Sequence, residues 1–324
     1  MMGQRLRFVT LDVFTSQPYA GNPLAVVFLP EPEQSASLPP LTERQKLSIT
    51  REFNLSETVF VHAGSGEKRT IDIFTTACEI PFAGHPTIGA ASWFLYHSPN
   101  QQEREQVRCL VTKAGEIPIS LQQPPQEQGV LARVAHNVRF HAARYPLSEL
   151  LRLHVSLTPF FPPAVHGMLS FPVVSIVNGM SQVHVELPSL EALAAVTTSA
   201  GGEVISVHGP YLDEGWRSGH CVLYFYVRNV EDALLKTRVI RTRMILGNEE
   251  DAATGSAASG LVAYLSLTKE PPGRHTYDII QGVEMGRRSQ IGIDITTDHE
   301  KVESLELKGA AVTVSEGTIL IPRE

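Results

Sequence analysis

The sequence is poor in cysteine, in positive charge and in long apolar runs, and each shortage removes a class of protein. Cys78, Cys109 and Cys221 are the three cysteines among 324 residues, odd in number and far apart. They make no disulfide framework, and no CxxC pair offers zinc ligands. Lysine and arginine total 27 against 34 aspartates and glutamates, a formal net charge of −7. No basic face for phosphate backbones is indicated, so nucleic acid is not an expected partner. No stretch approaches the roughly 18 apolar residues of a membrane helix, and no membrane partner is expected. Asp12 interrupts the first apolar run too early for a signal-peptide core. Asn54-Leu55-Ser56 matches a glycosylation sequon, which without a secretion signal is read as accidental. The expected location is cytoplasmic. Missing too are HxxxH, HExxH and GxSxG spacings, a GxGxxG after a strand, and any Lys-Ser/Thr behind Gly255…Gly260 that would make a P-loop. The expectation is an activity with no metal and no organic cofactor.

What is present is an ordinary globular composition. Hydrophobic residues make 43% and charged residues 19% of the chain, which excludes disorder as the main state. The length suggests two domains or one large one, able to bury about 75% of its unfolded surface without metal or disulfide. Val9, Leu11 and Val13 alternate with Thr10 and Asp12, the period of a half-buried strand. Gly21-Asn22-Pro23 punctuates, and Leu24 to Leu29 reads as a short buried strand stopped by Pro30. Residues 31–40 read as a Pro/Ser/Glu loop. Thr42-Glu43-Arg44-Gln45 has capping-box spacing and predicts a helix to about Phe53. Strands follow over Thr58–His62 and Thr70–Phe74. Gly84-His85-Pro86 then opens a helix running to Tyr96, with Pro86 at the first helical position. It is apolar nearly all round, so burial is expected.

The second half repeats this order. Phe171–Ile176 and Val183–Leu187 read as strands around Asn178-Gly179, followed by a short helix near 189–196 and strands at 203–207, 221–227 and 238–245. Asp251 to Ser256 opens a second apolar helix, Ala257 to Leu267. Laying Gly255 on Gly84 puts Gly260 on Gly89 and Tyr264 on Trp93; the order of elements is the stronger sign of a repeat. The architecture expected is α+β, two pseudo-symmetric halves with a cleft between them, each a sheet wrapped around a central buried helix. Pro124 and Pro125 place the crossing near 125. The alternation of Ala311–Ile321 suggests a return to the first half, giving domains of 1–125 plus about 308–324, and 126–307.

Each buried helix begins at a glycine, and a helix start with free N–H groups attracts anions. Two such starts would bind a small carboxylate. Glu57, at a helix-to-strand turn, is either a solvated glutamate or a general acid/base whose pKa its apolar neighbours raise. His85 is either a helix cap or a proton relay. Asp251 is either an acid stabilised by the helix dipole or an acceptor for a substrate N–H or O–H. His220 and Cys221 are adjacent, so on a strand they face opposite ways and form no Cys/His pair.

Five stretches together resemble the PhzF family of phenazine-biosynthesis-like proteins. They are Asp12-Val13-Phe14-Thr15 with Gly21-Asn22-Pro23; Asn54-Leu55-Ser56-Glu57-Thr58; Phe74-Thr75 with Glu79 to Gly89; Glu250 to Ala257; and Gln281-Gly282 with Met285-Gly286-Arg287. The resemblance implies the diaminopimelate-epimerase-like fold, a site in the cleft, a homodimer, and a cofactor-independent isomerase acting on a small carboxylate-bearing, anthranilate-like metabolite. It implies that Glu57 shuttles a proton, that His85 and Asp251 hold the substrate, and that Ser56, Gly84, Gly255 and Ser256 help to bind it. Ala252, Thr76 and Arg288 stand where proline is common in the family, and none of them removes a proposed catalytic group. Two alternatives remain: a non-catalytic small-molecule-binding or scaffold homodimer on the same fold, and an amino-acid epimerase or racemase. The resemblance implies that racemisation uses two thiols at the helix starts. Those positions fall near Ala83 and Thr254, and Cys78 lies six residues before Gly84.

Overall fold

The computed structural model describes residues 4–30, 40–122 and 129–323. The loop expected at 31–40 and the crossing expected near 125 fall almost wholly outside the described residues. The chain divides into two compact units, residues 1–134 with 306–324, and residues 135–305.

The first unit opens with β1 (Arg5–Val13) and β2 (Asn22–Phe28), then α1 (Glu43–Phe53). The capping box is present as its spacing predicts: the Thr42 hydroxyl accepts from the Gln45 N–H and the Gln45 side chain reaches back to the Thr42 N–H. Asn54 ends this helix in a left-handed conformation (φ 52°). There follow β3 (Glu57–Val61), β4 (Lys68–Thr75), the short β5 (Glu79–Ile80) and α2 (Gly84–Ser92). After α3 (Gln101–Gln106) come β6 (Cys109–Thr112), β7 (Gly115–Leu121) and β8 (Val130–Arg133).

Two expectations for α2 need correction. Pro86 sits third in the helix, not first, because the chain is already helical from Gly84. The position is still within the turn whose N–H groups have no helical acceptor, so proline remains harmless there. The helix also does not continue regularly to Tyr96: Trp93–His97 widens into a π turn closed by Ser98 N–H to Trp93 C=O at 2.7 Å. Every residue of α2 is buried, as its all-round apolarity predicts.

The second unit contains β9 (Arg139–Pro146), α4 (Leu147–Leu153), β10 (Ser170–Val177), β11 (Met180–Glu186) and α5 (Leu190–Ala194). It continues with β12 (His220–Asp232), β13 (Thr237–Leu246), β14 (Glu249–Asp251), α6 (Gly255–Lys269), β15 (Gly273–Gln281) and β16 (Ser289–Thr297). The strand expected at 203–207 is absent. Its alternation reflects one-sided burial: Ile205 is buried in the cluster with Val196 and Leu212 while Val204 is exposed, and the segment enters no ladder. β17 (Val302–Gly309) then carries the chain back to pair with β8, and β18 (Ala311–Leu320) pairs with β1 along its whole length.

Pairing makes the repeat explicit. In the first unit β1 is antiparallel to β2 and β18, β2 parallel to β3, β3 antiparallel to β4, and β4 antiparallel to β5 but parallel to β6. In the second, β10 is antiparallel to β11 and β9, β11 parallel to β12, β12 antiparallel to β13, and β13 antiparallel to β14 but parallel to β15. The two sequences of pairings are the same. Each mixed sheet covers a central helix: α2 packs on β1, β2, β3, β8 and β18, and α6 on β10, β11, β15 and β16. Gly89 and Gly260, matched in the sequence repeat, make both contacts possible. A Cβ on Gly89 would lie 2.3 Å from Leu24 Cδ2, and one on Gly260 would lie 2.5 Å from Gln182 Oε1.

Candidate active site

Alternation along β3 decides where Glu57 points. Phe60 belongs to the cluster that includes Ile49 of α1, so Glu57, Val59 and Val61 face the other way, onto the side that α2 occupies. Glu57 is the first residue of β3, opposite Thr75 on β4. Its side chain keeps 18% exposure, and Oε2 lies 3.1 Å from His85 Nδ1 on a ring that is 4% exposed. Glu57 is therefore no solvated turn residue. His85 is the second residue of α2 and does not cap it; the first turn has no side-chain cap.

The electrostatics reverse one expectation. Burial is the largest single influence on Glu57 and pushes its carboxyl upward. The charge of His85, 3.1 Å away, and the polar contacts with His85 and Ser56 together outweigh that push, and the carboxyl ends below its ordinary 4.5. Glu57 thus rests as a carboxylate at neutral pH. Asn22 is 3% exposed and sets its Nδ2 3.5 Å from the same His85 Nδ1. The local pattern reads Gly21-Asn22-Pro23 as punctuation and the family resemblance includes it without a role for Asn22; nothing in the spacing draws Asn22 to His85.

In the second unit, Asp251 ends β14, opposite Met244. It lies ahead of Thr254, the N-cap of α6, and the first turn of that helix holds no acid, so Asp251 is not a first-turn dipole partner. Its Oδ2 accepts from the Thr254 hydroxyl at 2.5 Å. Gly255 and Ser256 are the first two residues of α6, which again has no side-chain cap. At neither helix start does the N-cap residue's own side chain bond the opening N–H groups. Behind Asp251 stands Gln281, fully buried, whose amide contacts Asp251, Thr254, Tyr224 and Thr242. The sequence motif contains Gln281 but gives it no role.

The cysteines take no part in either arrangement. Cys78 is exposed, and Cys109 and Cys221 are buried. Burial pushes the Cys221 thiol up to about 12, far from a thiolate at neutral pH. Ala83 and Thr254, the N-cap residues of α2 and α6, carry no thiol. Among the described residues no cluster of three His, Cys, Asp or Glu is arranged to hold a metal ion. None of the described helices is long and apolar enough to cross a membrane.

Two units with one strand plan, each closing on a buried helix with an uncapped start, define the diaminopimelate-epimerase-like fold. The same fold occurs in a PhzF-family phenazine biosynthesis protein of Bacillus anthracis (TM-score 0.70, 21% identity, covering 98% of this chain and 100% of that one). It occurs too in a probable proline racemase of Agrobacterium radiobacter (TM-score 0.63, 11% identity, 98% and 93%). The sequence pattern of the phenazine biosynthesis-like (PhzC-PhzF) family matches residues 11–317, and the chain belongs to that family. It is similar to trans-2,3-dihydro-3-hydroxyanthranilate isomerase of Pseudomonas fluorescens, with 31% identity over 97% of this chain and 99% of the relative. It is also similar to an uncharacterised isomerase of Mesorhizobium japonicum, with 29% identity over 98% and 100% of the two chains. The protein is an isomerase of the PhzF type.

Proposed function

We propose that the protein isomerises a small, carboxylate-bearing, anthranilate-like metabolite by proton transfer through Glu57, without a cofactor. The observation that carries this reading is the Glu57–His85 pair, with Oε2 3.1 Å from Nδ1 beside the uncapped start of α2. A resting carboxylate takes a proton from one carbon of the substrate. The electron pair left behind shifts the neighbouring double bond, and the now neutral Glu57 returns the proton to another carbon. Atoms and electrons balance with no oxidant. A base that starts ionised and is protonated only in mid-reaction fits a carboxyl held below 4.5 at rest.

His85 then has two tasks: it keeps Glu57 ionised before the reaction and bonds the substrate during it. Asp251 holds a substrate N–H or O–H, while Ser56 and the backbone N–H groups at Gly84, Gly255 and Ser256 receive the substrate's negative charge. Two-thiol racemisation is disfavoured, because Thr254 spends its hydroxyl proton on Asp251 and Ala83 has no acid group. The test uses trans-2,3-dihydro-3-hydroxyanthranilate, the compound in the name of the similar Pseudomonas enzyme, incubated with the protein in deuterium oxide. Product carrying solvent deuterium, formed by the unaltered protein and not by Glu57→Gln, is the expected result. Unimpaired turnover by Glu57→Gln would remove the glutamate from the mechanism. No turnover of this or related dihydroaromatic carboxylates would remove the substrate class.

A further inference from the structure

We infer that Gln281 and Gly282 act together as a clamp that fixes the Asp251 carboxylate, making Gln281 a positioning residue for substrate binding. The inference rests on the reading of Asp251 given above.

The amide of Gln281 can sit only one way round. Its Oε1 receives the Tyr224 hydroxyl at 3.0 Å, the Thr254 backbone N–H at 3.3 Å and the Thr242 hydroxyl at 3.4 Å. Its Nε2 donates to the Asp251 carbonyl at 2.8 Å and to the Thr254 hydroxyl oxygen at 3.0 Å. A flipped amide would set donors against the Thr254 N–H and an acceptor against the Asp251 carbonyl. Burial makes that arrangement costly, since Gln281 is wholly excluded from solvent. Burial also holds the Tyr224 phenol far above its ordinary pKa, so it remains a donor at every working pH.

The direction of these bonds has an outcome at Asp251. Because Nε2 donates to the Thr254 oxygen, the hydroxyl proton of Thr254 is directed elsewhere, and it goes to Asp251 Oδ2. A neutral hydroxyl thus becomes an obligate donor, and it fixes the carboxylate's rotation by holding one oxygen. The backbone carbonyl of the same aspartate is held by the other Nε2 proton. Asp251 is fastened at both ends to one side chain, directly and through Thr254.

The next residue completes the device. Gly282 has φ +73°, and a Cβ there would lie 2.6 Å from the Arg287 carbonyl oxygen and 2.7 Å from the Ala252 carbonyl oxygen. Only glycine lets the chain turn at this point while the 282–287 turn, closed by Arg287 N–H to Gly282 C=O at 2.9 Å, presses against Ala252. Gln281 needs β15 to stop where it does, and Gly282 provides the stop.

The test compares Gln281→Leu, Thr254→Val and Thr254→Ser, alone and combined, on the dihydrohydroxyanthranilate substrate. Gln281→Leu and Thr254→Val are each expected to raise KM about tenfold, the scale of one lost charge-assisted hydrogen bond, with a smaller change in kcat. Thr254→Ser, which keeps the hydroxyl, should stay near normal. The combination of Gln281→Leu with Thr254→Val should be little worse than either alone, because both break one relay. Additive losses, normal KM in Gln281→Leu, or equal damage from Thr254→Ser and Thr254→Val would overturn the inference. Hydrogen exchange at residues 251–256 needs no substrate and separates the two readings. If the unaltered protein turns nothing over, faster exchange in Gln281→Leu and Thr254→Val, but not in Thr254→Ser, still supports the clamp. Unchanged exchange in Gln281→Leu refutes it.

Discussion

At the start of α2 the important side chains are ionisable and touch each other directly, Glu57 against His85 at 3.1 Å. At the start of α6 one ionisable group, Asp251, is held by neutral ones, Thr254 and Gln281. The cores beneath differ in the same sense. Gly89 of α2 approaches Leu24, whereas Gly260 of α6 approaches Gln182 and His184. Val26, two residues on from Leu24, is apolar and buried; His184, two on from Gln182, is buried with no hydrogen-bond partner on either ring nitrogen, and burial lowers its pKa to about 3. One strand plan therefore supports two kinds of helix start. The first sets two ionisable groups against each other, and the second surrounds one with neutral donors.

The sharpest way to break the comparison is to take the transferable proton from the first unit. Glu57→Gln should lower turnover about 10²–10⁴-fold with little change in substrate binding, measured by steady-state kinetics. If Asp251→Asn gave the larger loss in kcat, the assignment of chemistry to one unit and holding to the other would be reversed. Next in size, Asp251→Ala and His85→Ala should raise KM roughly ten- to hundredfold. Only His85→Ala should also shift the acid limb of the rate profile. Without His85, only the Ser56 contact still opposes the burial of Glu57, and that limb moves upward in pH.

The glycines test the packing side of the comparison. Gly89→Ala should destabilise by about 1–3 kcal/mol in denaturant unfolding, because Val13 Cγ2 at 3.0 Å and Leu24 Cδ2 at 2.3 Å both crowd the new methyl. Gly260→Ala meets mainly the movable end of Gln182, and alanine's better helix propensity returns about 0.5–1 kcal/mol. It should come out nearer neutral. Equal losses would mean that the two helix seats are packed alike.

The smallest effects concern charge and polarity. Gln182→Leu, which makes the second core resemble the first at Leu24, should change stability by less than about 1 kcal/mol, since it removes the unpartnered Oε1 but also the Nε2 bond to the Met180 carbonyl at 2.9 Å. The Glu57 carboxyl is depressed on folding, so its contribution to stability is present above 4.5 and is lost as pH falls through its lower folded value. Unfolding midpoints of the unaltered protein and Glu57→Gln should therefore converge in acid and differ at neutral pH.

Much of this arrangement was legible in the residues. The Thr42–Gln45 capping box, the strands at β1 to β4 and the buried helices at Gly84 and Gly255 follow from local pattern, because capping and periodicity are short-range. The illegible parts are those set by distant partners. Ile205 looks like part of a strand because one-sided burial alternates whether or not a ladder forms. The π turn at Trp93–His97 continues an apolar run whose hydrogen-bond spacing sequence does not encode. Glu57 could be placed at its turn. The sign of its pKa shift could not, because burial and His85 oppose each other and only the 3.1 Å contact shows which prevails. Asn22 and Gln281 act through side chains that meet partners 63 and 30 residues away.

The pairing of β18 with β1 bears on how the chain is made. One edge of residues 5–13 pairs with β2, and the other finds its antiparallel partner only in residues 311–320, whereas residues 135–305 form a unit from one unbroken stretch. During synthesis at about 5–20 residues per second, the first strand waits roughly 15–60 s for this second neighbour. The second unit can close in that interval, so the part translated later matures earlier. Until β18 emerges, the outer edge of β1 stays open to strands of other chains. Nascent chains truncated before residue 306 should therefore show a protease-resistant second unit and a protease-sensitive first one.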